Sequence, residues 1–184
     1  MIITITGKPC SGKGTVGKAY CKKYNFEYMS TGDMFRSIAS ERGYSNILEF
    51  QKSKEIYDVD REIDSRTQAI GKAREKDDLL IDSRMAWHFI PHSFKVFLDV
   101  SLQTAGKRLI EAERELEKPE SLEHAMQILL DRWQTENIRY QKLYNTSNLD
   151  QSNYDLVIST DNKSIDEIVE LIHTEYVKFL KKIQ

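Results

Sequence analysis

The N-terminal segment restricts the fold more than any other part of the chain. It runs Met1-Ile2-Ile3-Thr4-Ile5-Thr6, β-branched and nearly continuously apolar, and then Gly7-Lys8-Pro9-Cys10-Ser11-Gly12-Lys13-Gly14-Thr15. An apolar run without polar alternation is the pattern of a strand covered on both faces, as in a parallel sheet between helices. Beyond the loop, Val16, Ala19, Tyr20 and Tyr24 recur at helical spacing, and Tyr24-Asn25 closes that helix. Strand, glycine-rich loop and helix in this order make a cradle for phosphate. The glycines let backbone N–H groups turn inward, the helix adds the positive end of its dipole, and Lys13 brings a full charge to the β and γ phosphates. The alternative is a glycine-rich turn carrying a solvated lysine.

Four more strands are expected, at Phe26–Met29, Leu79–Ile81, Phe94–Leu98 and Tyr154–Ile158, with helical patterns between them. The order βαβ(ααα)βαβ(αα)βα predicts an α/β fold, a five-stranded parallel sheet with helices on both faces. A chain of 184 residues then forms one domain, 1–184, interrupted by two helical stretches, 33–76 and 112–145. Asn46 with Glu49, and Ser164 with Glu167, have the spacing of reciprocal helix caps. Arg42-Gly43 reads as a helix stop. Ile165, Ile168, Ile172, Tyr176, Phe179 and Ile183 form a stripe expected to cover one face of the sheet.

Composition removes several function classes. With 27 Lys+Arg against 29 Asp+Glu the net charge is −2, so no global field favours nucleic acid or an anionic membrane, and any anion site must be local. No basic stripe carries interleaved aromatics. No apolar run approaches the roughly 18 residues of a membrane span, and the start lacks the basic flank of a secretory signal. The expected location is the cytoplasm. Cys10 and Cys21 match neither a disulfide framework nor a zinc-ligand spacing. The charged run Glu111–Lys118 reads as a solvated helix face or part of a flap.

The loop form Gly7-x-Pro9-x-x-Gly12-Lys13-Gly14-Thr15 resembles that of the nucleoside monophosphate kinases, and Ser30-Thr31-Gly32-Asp33-Met34-Phe35-Arg36 resembles their Ser-Thr-Gly-Asp-Met-(Leu/Phe)-Arg segment. Further pieces are Glu41-Arg42-Gly43, Val59-Asp60-Arg61-Glu62-Ile63-Asp64 and Ile81-Asp82-Ser83-Arg84-Met85-Ala86-Trp87. Later come Arg132-Trp133-Gln134-Thr135-Glu136-Asn137-Ile138-Arg139-Tyr140 with Tyr144, then Tyr154-Asp155-Leu156-Val157-Ile158. As a set, from residue 1 to about 160, they resemble the short, archaeal-type cytidylate kinases. Two departures stand out. Ser83 replaces an expected glycine, and residues 144–153 keep only part of the usual connection.

The resemblance implies a P-loop NTPase three-layer sandwich in which 33–76 is a helical acceptor-binding insertion and 112–145 a short helical lid. It implies ATP-dependent phosphoryl transfer to CMP or dCMP, with Mg²⁺ as cofactor. The implied partners are ATP and the nucleoside monophosphate, without nucleic acid or membrane, in a monomer or small homo-oligomer. AMP, another nucleotide or a small hydroxylated metabolite as acceptor, and a non-catalytic nucleotide-binding regulatory module, are the competing readings.

Site residues follow. ATP is expected on Gly7, Lys8, Pro9, Cys10, Ser11, Gly12, Lys13, Gly14 and Thr15. Gly14 stands where a Ser or Thr usually ligates Mg²⁺, so the ion is expected to rest largely on phosphate and water beside Thr15. Asp82, a hard oxygen ligand at a strand end, orients it, or else caps a turn. Thr31 or Asp33 caps a helix start, while Arg36 and Arg84 offer planar forks to the acceptor phosphate, Arg84 at the carboxyl edge of the sheet. Arg132 and Arg139, seven apart, share a helix face roughly 10 Å apart along the axis. As lid arginines they join Lys13 in stabilising the transferring group, or else pair with Glu136 and Glu123. Arg108 stacks on the donor adenine or is a plain surface arginine. Arg61 with Asp64 reads cytosine or forms a helix ion pair.

Overall fold

The computed structural model describes residues 1–44, 50, 53–112 and 119–183. The Asn46/Glu49 cap and most of the charged run 111–118 lie outside the described residues. Five strands, β1 (Ile3–Gly7), β2 (Glu27–Ser30), β3 (Leu79–Asp82), β4 (Phe94–Asp99) and β5 (Leu156–Ser159), pair in parallel in the order β2-β3-β1-β4-β5. The helices are α1 (Lys13–Tyr24), α2 (Thr31–Glu41), α3 (Ile56–Ala73), α4 (Ala86–Phe89), α5 (Leu102–Glu111), α6 (Leu122–Tyr144) and α7 (Ile165–Ile183). This is the expected α/β architecture.

Every residue of β1 is buried, as its unbroken apolar run requires. Ile3 and Ile5 face α1 and α7 together with Val16, Leu80, Val96, Leu98, Ile168 and Ile172, which form the larger core. Ile2, Leu79 and Ile81 face the other side, against Ala86 and Ile90. The two polar residues on that side are satisfied: Thr4 Oγ1 pairs with Ser93 Oγ at 3.0 Å, and Thr6 Oγ1 donates to Ser83 O at 2.8 Å.

Boundaries moved where tertiary contacts competed with local preference. β5 begins at Leu156 and not at Tyr154, because the Tyr154 ring lies 4.9 Å from Phe97 and its hydroxyl donates to Asn148 O at 2.7 Å. The α7 stripe is narrower than expected: Ile168, Val169, Ile172 and Tyr176 are buried, whereas Ile165 and Ile183 at its ends stay exposed. Gly43, with φ +81°, ends α2 as expected, and its N–H donates to Ser40 O. Among the described residues no helix is long and apolar enough to cross a membrane.

The strand order puts β1 centrally, with β3 and β4 on its two sides. Connections leave β1 and β3 toward opposite edges, so the carboxyl ends of these neighbours diverge into a crevice, the place where open α/β sheets bind ligands.

Candidate active site

The crevice is a cleft of about 1180 Å³ lined by the loop after β1, the ends of β2 and β3, and residues of α2, α3 and α6. Its floor is formed by Pro9, Cys10 and the residues from Gly12 to Thr15. Gly12 has φ +85° and Cys10 φ +61°, left-handed residues that turn the loop back on itself, where Ser11 N donates to Lys8 O at 3.1 Å. At Gly7 a Cβ would come within 2.3 Å of Leu98 O, so only glycine lets the loop leave β1 this close to β4. Lys13 opens α1, and its Nζ donates to Gly7 O at 3.1 Å and Lys8 O at 3.5 Å, folding the ammonium over the loop. Burial and the nearby Arg84 lower its pKa to about 8, against the pull of Asp82 and Glu136.

The end of β3 supplies the opposite wall. The Tyr28 hydroxyl donates to Asp82 Oδ2 at 3.0 Å, and Thr31 Oγ1 donates to Asp82 O at 3.4 Å, which fixes the Asp82 carboxylate beside Gly14. Asp82 is not the turn cap. That part belongs to Ser83, whose Oγ accepts from Met85 N and Ala86 N, both at 3.2 Å, and so opens α4 where a glycine is expected. Arg84 NH1 reaches back to Gly7 O at 3.3 Å. The cap of α2 is also displaced from expectation. Ser30, and neither Thr31 nor Asp33, accepts from Asp33 N, while the Asp33 carboxylate takes the Arg36 guanidinium at the exposed mouth of the cleft.

From α6, Arg132, Glu136, Arg139 and Tyr140 all line the cleft. Positions three and four apart stack on one helix face, so the expected placement of the two arginines also carries Glu136 inward. Its carboxylate bridges Arg84 NH1 at 3.0 Å and Arg132 Nε at 3.3 Å. Burial works against its ionisation, yet Arg84, Arg132, Arg139 and Lys13 together hold its pKa below the usual range. Arg139 pairs with Asp60 at 2.8 Å and not with Glu123.

Asp60, Ile63 and Asp64 occupy the inward face of α3. Desolvation raises the Asp60 carboxyl to about 6 although Arg139 opposes it, and raises Asp64 to about 7 although Asp64 accepts the Tyr144 hydroxyl. Arg61 corrects an expectation. One residue along the helix from Asp60, it turns outward to a separate shallow hollow with Tyr57, Lys142 and Leu143, and makes no ion pair with Asp64 among the described residues.

Pro9, Cys10, Gly12, Lys13, Gly14 and Thr15 line the cleft, whereas Gly7, Lys8 and Ser11 stand behind its rim. The Lys8 side chain is held by Asp99 at 2.7 Å and lies 5.0 Å from the Trp133 ring centre. Arg108 reaches the cleft and is no plain surface arginine. It donates to Cys10 O at 3.1 Å, Thr160 Oγ1 at 3.0 Å and Thr160 O at 2.9 Å, tying the loop to the turn after β5. Sequence reading missed Asp60 and Glu136 as site members. Both are carboxylates at helical spacing from an expected arginine or acid, which is the one signal that could have found them.

Among solved structures, the shikimate kinase of Bacteroides thetaiotaomicron superposes with TM-score 0.66 over 98% of both chains at 16% identity. The shikimate kinase of Acinetobacter baumannii in complex with shikimate gives 0.61 over 96% of this chain and 93% of that one at 16% identity. At this identity the likeness is one of fold. The cytidylate kinase of Natronomonas pharaonis is 32% identical over 95% of this chain and 88% of its own length. That of Methanocorpusculum labreanum is 32% identical over 99% of each. The S-adenosylmethionine-dependent nucleotide dehydratase of Lacinutrix mariniflava is 35% identical over 96% of this chain, which spans only 36% of that protein. Residues 2–162 match the profile of the cytidylate kinase-like family. With this profile over most of its length, on a P-loop kinase fold, the chain belongs to the cytidylate kinase-like family.

Proposed function

We propose that this protein transfers the γ-phosphoryl group of ATP to CMP or dCMP, giving ADP and the diphosphate. The single observation that carries the reading is the convergence of Lys13, Arg84, Arg132 and Arg139 from three separate stretches of chain on one cleft. Phosphoryl transfer needs little covalent help, and the protein's work is to hold two polyanions in line and spread positive charge over the moving group. In this reading residues 7–15 and Lys13 take the donor phosphates, and Arg108 stands where the donor base enters. Arg36 and Arg84 take the acceptor phosphate, while Arg132 and Arg139 reach from α6 to the transferring group. The helices within 33–76 form the acceptor side, and 112–145 acts as the lid that excludes water.

Mg²⁺ fits the donors present. Asp82 and Thr15 line the cleft beside the loop, and among the described residues no group of three or more His, Cys, Asp or Glu offers a full protein shell. Asp82 and Thr15 would hold such an ion together with phosphate oxygens and water, and it would neutralise charge on the phosphates.

Base choice falls to Asp60 and Asp64, not to Arg61. A carboxylate accepts from the amino group of cytosine, where uracil presents a carbonyl. The relatives named cytidylate kinase, matched over most of their own length, support a nucleotide over shikimate as acceptor.

The test is coupled ADP release with ATP·Mg²⁺ against CMP, dCMP, UMP, AMP and GMP. The expected result is preference for CMP or dCMP, loss of about 10²-fold or more in turnover for Lys13→Ala, and about 10-fold lower CMP-over-UMP preference for Asp60→Asn. ATP binding without turnover on any acceptor refutes the kinase reading in favour of a nucleotide-binding regulatory module.

A further inference from the structure

We infer that Glu136 is a built-in stand-in for the transferring phosphoryl group: its carboxylate occupies the cation cluster, and it must yield Arg84 and Arg132 when a phosphate anion enters. The inference rests on the phosphoryl-transfer reading of the cleft and adds an internal competitor to it.

The location of this carboxylate needs an explanation. An Arg132–Glu136 pair four residues apart on an exposed helix face contributes little and gains nothing from burial. Here the Glu136 side chain is only 13% exposed and also bridges to Arg84, itself 20% exposed, from the far wall of the cleft. Taking a carboxylate out of water is costly unless several cations compensate it. The compensation comes from the side chains placed to bind phosphate, Arg84, Arg132, Arg139 and Lys13, and they are the charged groups whose fields hold Glu136 ionised.

The converse is as important. Without an anion among them these cations repel one another at close range; Asp60 pairs with Arg139 and Asp82 acts on Lys13, while Glu136 pairs with both Arg84 and Arg132. Glu136 supplies that anion from within the chain. Its two oxygens and single charge imitate part of a phosphoryl group, which brings more oxygens and up to two charges. A polyphosphate therefore displaces the carboxylate, and like-charge repulsion between the two prevents both from staying. Because Glu136 is carried on α6, its release frees the lid helix from the end of β3. Anion binding and lid movement become one event.

The test measures binding of inorganic tripolyphosphate to the full chain by calorimetry, with thermal melts, for wild type, Glu136→Gln and Glu136→Asp. Glu136→Gln keeps the shape and removes the charge, so its expected affinity is about tenfold or more above wild type. Its ligand-free Tm is expected to fall and its tripolyphosphate-induced rise in Tm to grow. Glu136→Asp retains the charge on an arm one carbon too short to span Arg84 and Arg132, and its expected affinity lies between the two. It decides the matter if the glutamine variant does not fold. Folded variants that bind tripolyphosphate no more tightly than wild type overturn the inference, since a residue that merely positions the arginines weakens binding when altered. A wild type that binds neither tripolyphosphate nor ATP instead overturns the phosphate-site reading itself.

Discussion

In the proposed function Lys13 is the cation on which phosphate binding depends, and its surroundings oppose its charge. Burial and Arg84 bring its pKa to about 8. A bound polyphosphate favours the ammonium, so binding takes up a proton wherever the free lysine is neutral. The expected dissociation constant for tripolyphosphate or ATP is flat from about pH 6.5 to 7.5 and weakens by up to about tenfold per pH unit above 8. Calorimetry in two buffers of different ionisation heat measures the proton uptake, and Lys13→Met is expected to flatten the profile. A wild-type profile without slope above pH 8 refutes the assigned state of Lys13. At this scale the loop and the individual arginines were readable because each carries its chemistry in its residue type and spacing. Arg61 was misread in favour of its neighbour Asp60, since adjacent helix positions differ by about 100° in direction and only packing sets which one turns inward.

Elements whose ends are closed by their own residues were the easiest to read. Ser164 N donates to Glu167 Oε2 at 2.7 Å and Glu167 N donates to Ser164 Oγ at 3.2 Å, the reciprocal cap that the spacing predicts for α7. Ser164→Ala is expected to cost about 1 kcal/mol in urea unfolding while leaving turnover unchanged, because the cap lies outside the cleft. An equal loss of activity would contradict that separation of stability from function. The cap of α2 lies one or three positions before the residues expected to supply it. Ser30, Thr31 and Asp33 are all chemically able to cap, as are Asp82 and Ser83, and only the backbone path leaving β2 or β3 decides between them. On α6 the heptad spacing of Arg132 and Arg139 was plain and carries Glu136 to the same face, whereas the pairing of Glu136 with Arg84 depends on β3 delivering that arginine to the same point.

Across the whole molecule, the inner wall of acids ties stability to pH. Asp60 and Asp64 stand at about 6 and about 7 in the folded chain, against an ordinary 3.8, chiefly through desolvation. Both folded pKa values are raised, so between about pH 4 and 7 the folded state binds more protons than the unfolded one. Their contribution is fully present below the unfolded pKa and is lost as pH rises through the folded values. Relative to wild type, Asp64→Asn is therefore expected to gain in Tm as pH goes from 5 to 8, measured by thermal melts at fixed salt. A constant difference across that range would remove the raised pKa of Asp64 from the account. The sequence by itself determined the α/β architecture, the glycine-rich loop between β1 and α1 and the family likeness, because strand burial, glycine placement and helical period are local properties that a chain carries in one dimension. Only the tertiary structure decided that Glu136 lies among the cations, that Asp60 meets Arg139 and that Arg61 turns away. These are meetings between segments tens of residues apart, set by how the sheet order brings strand ends and helix faces together.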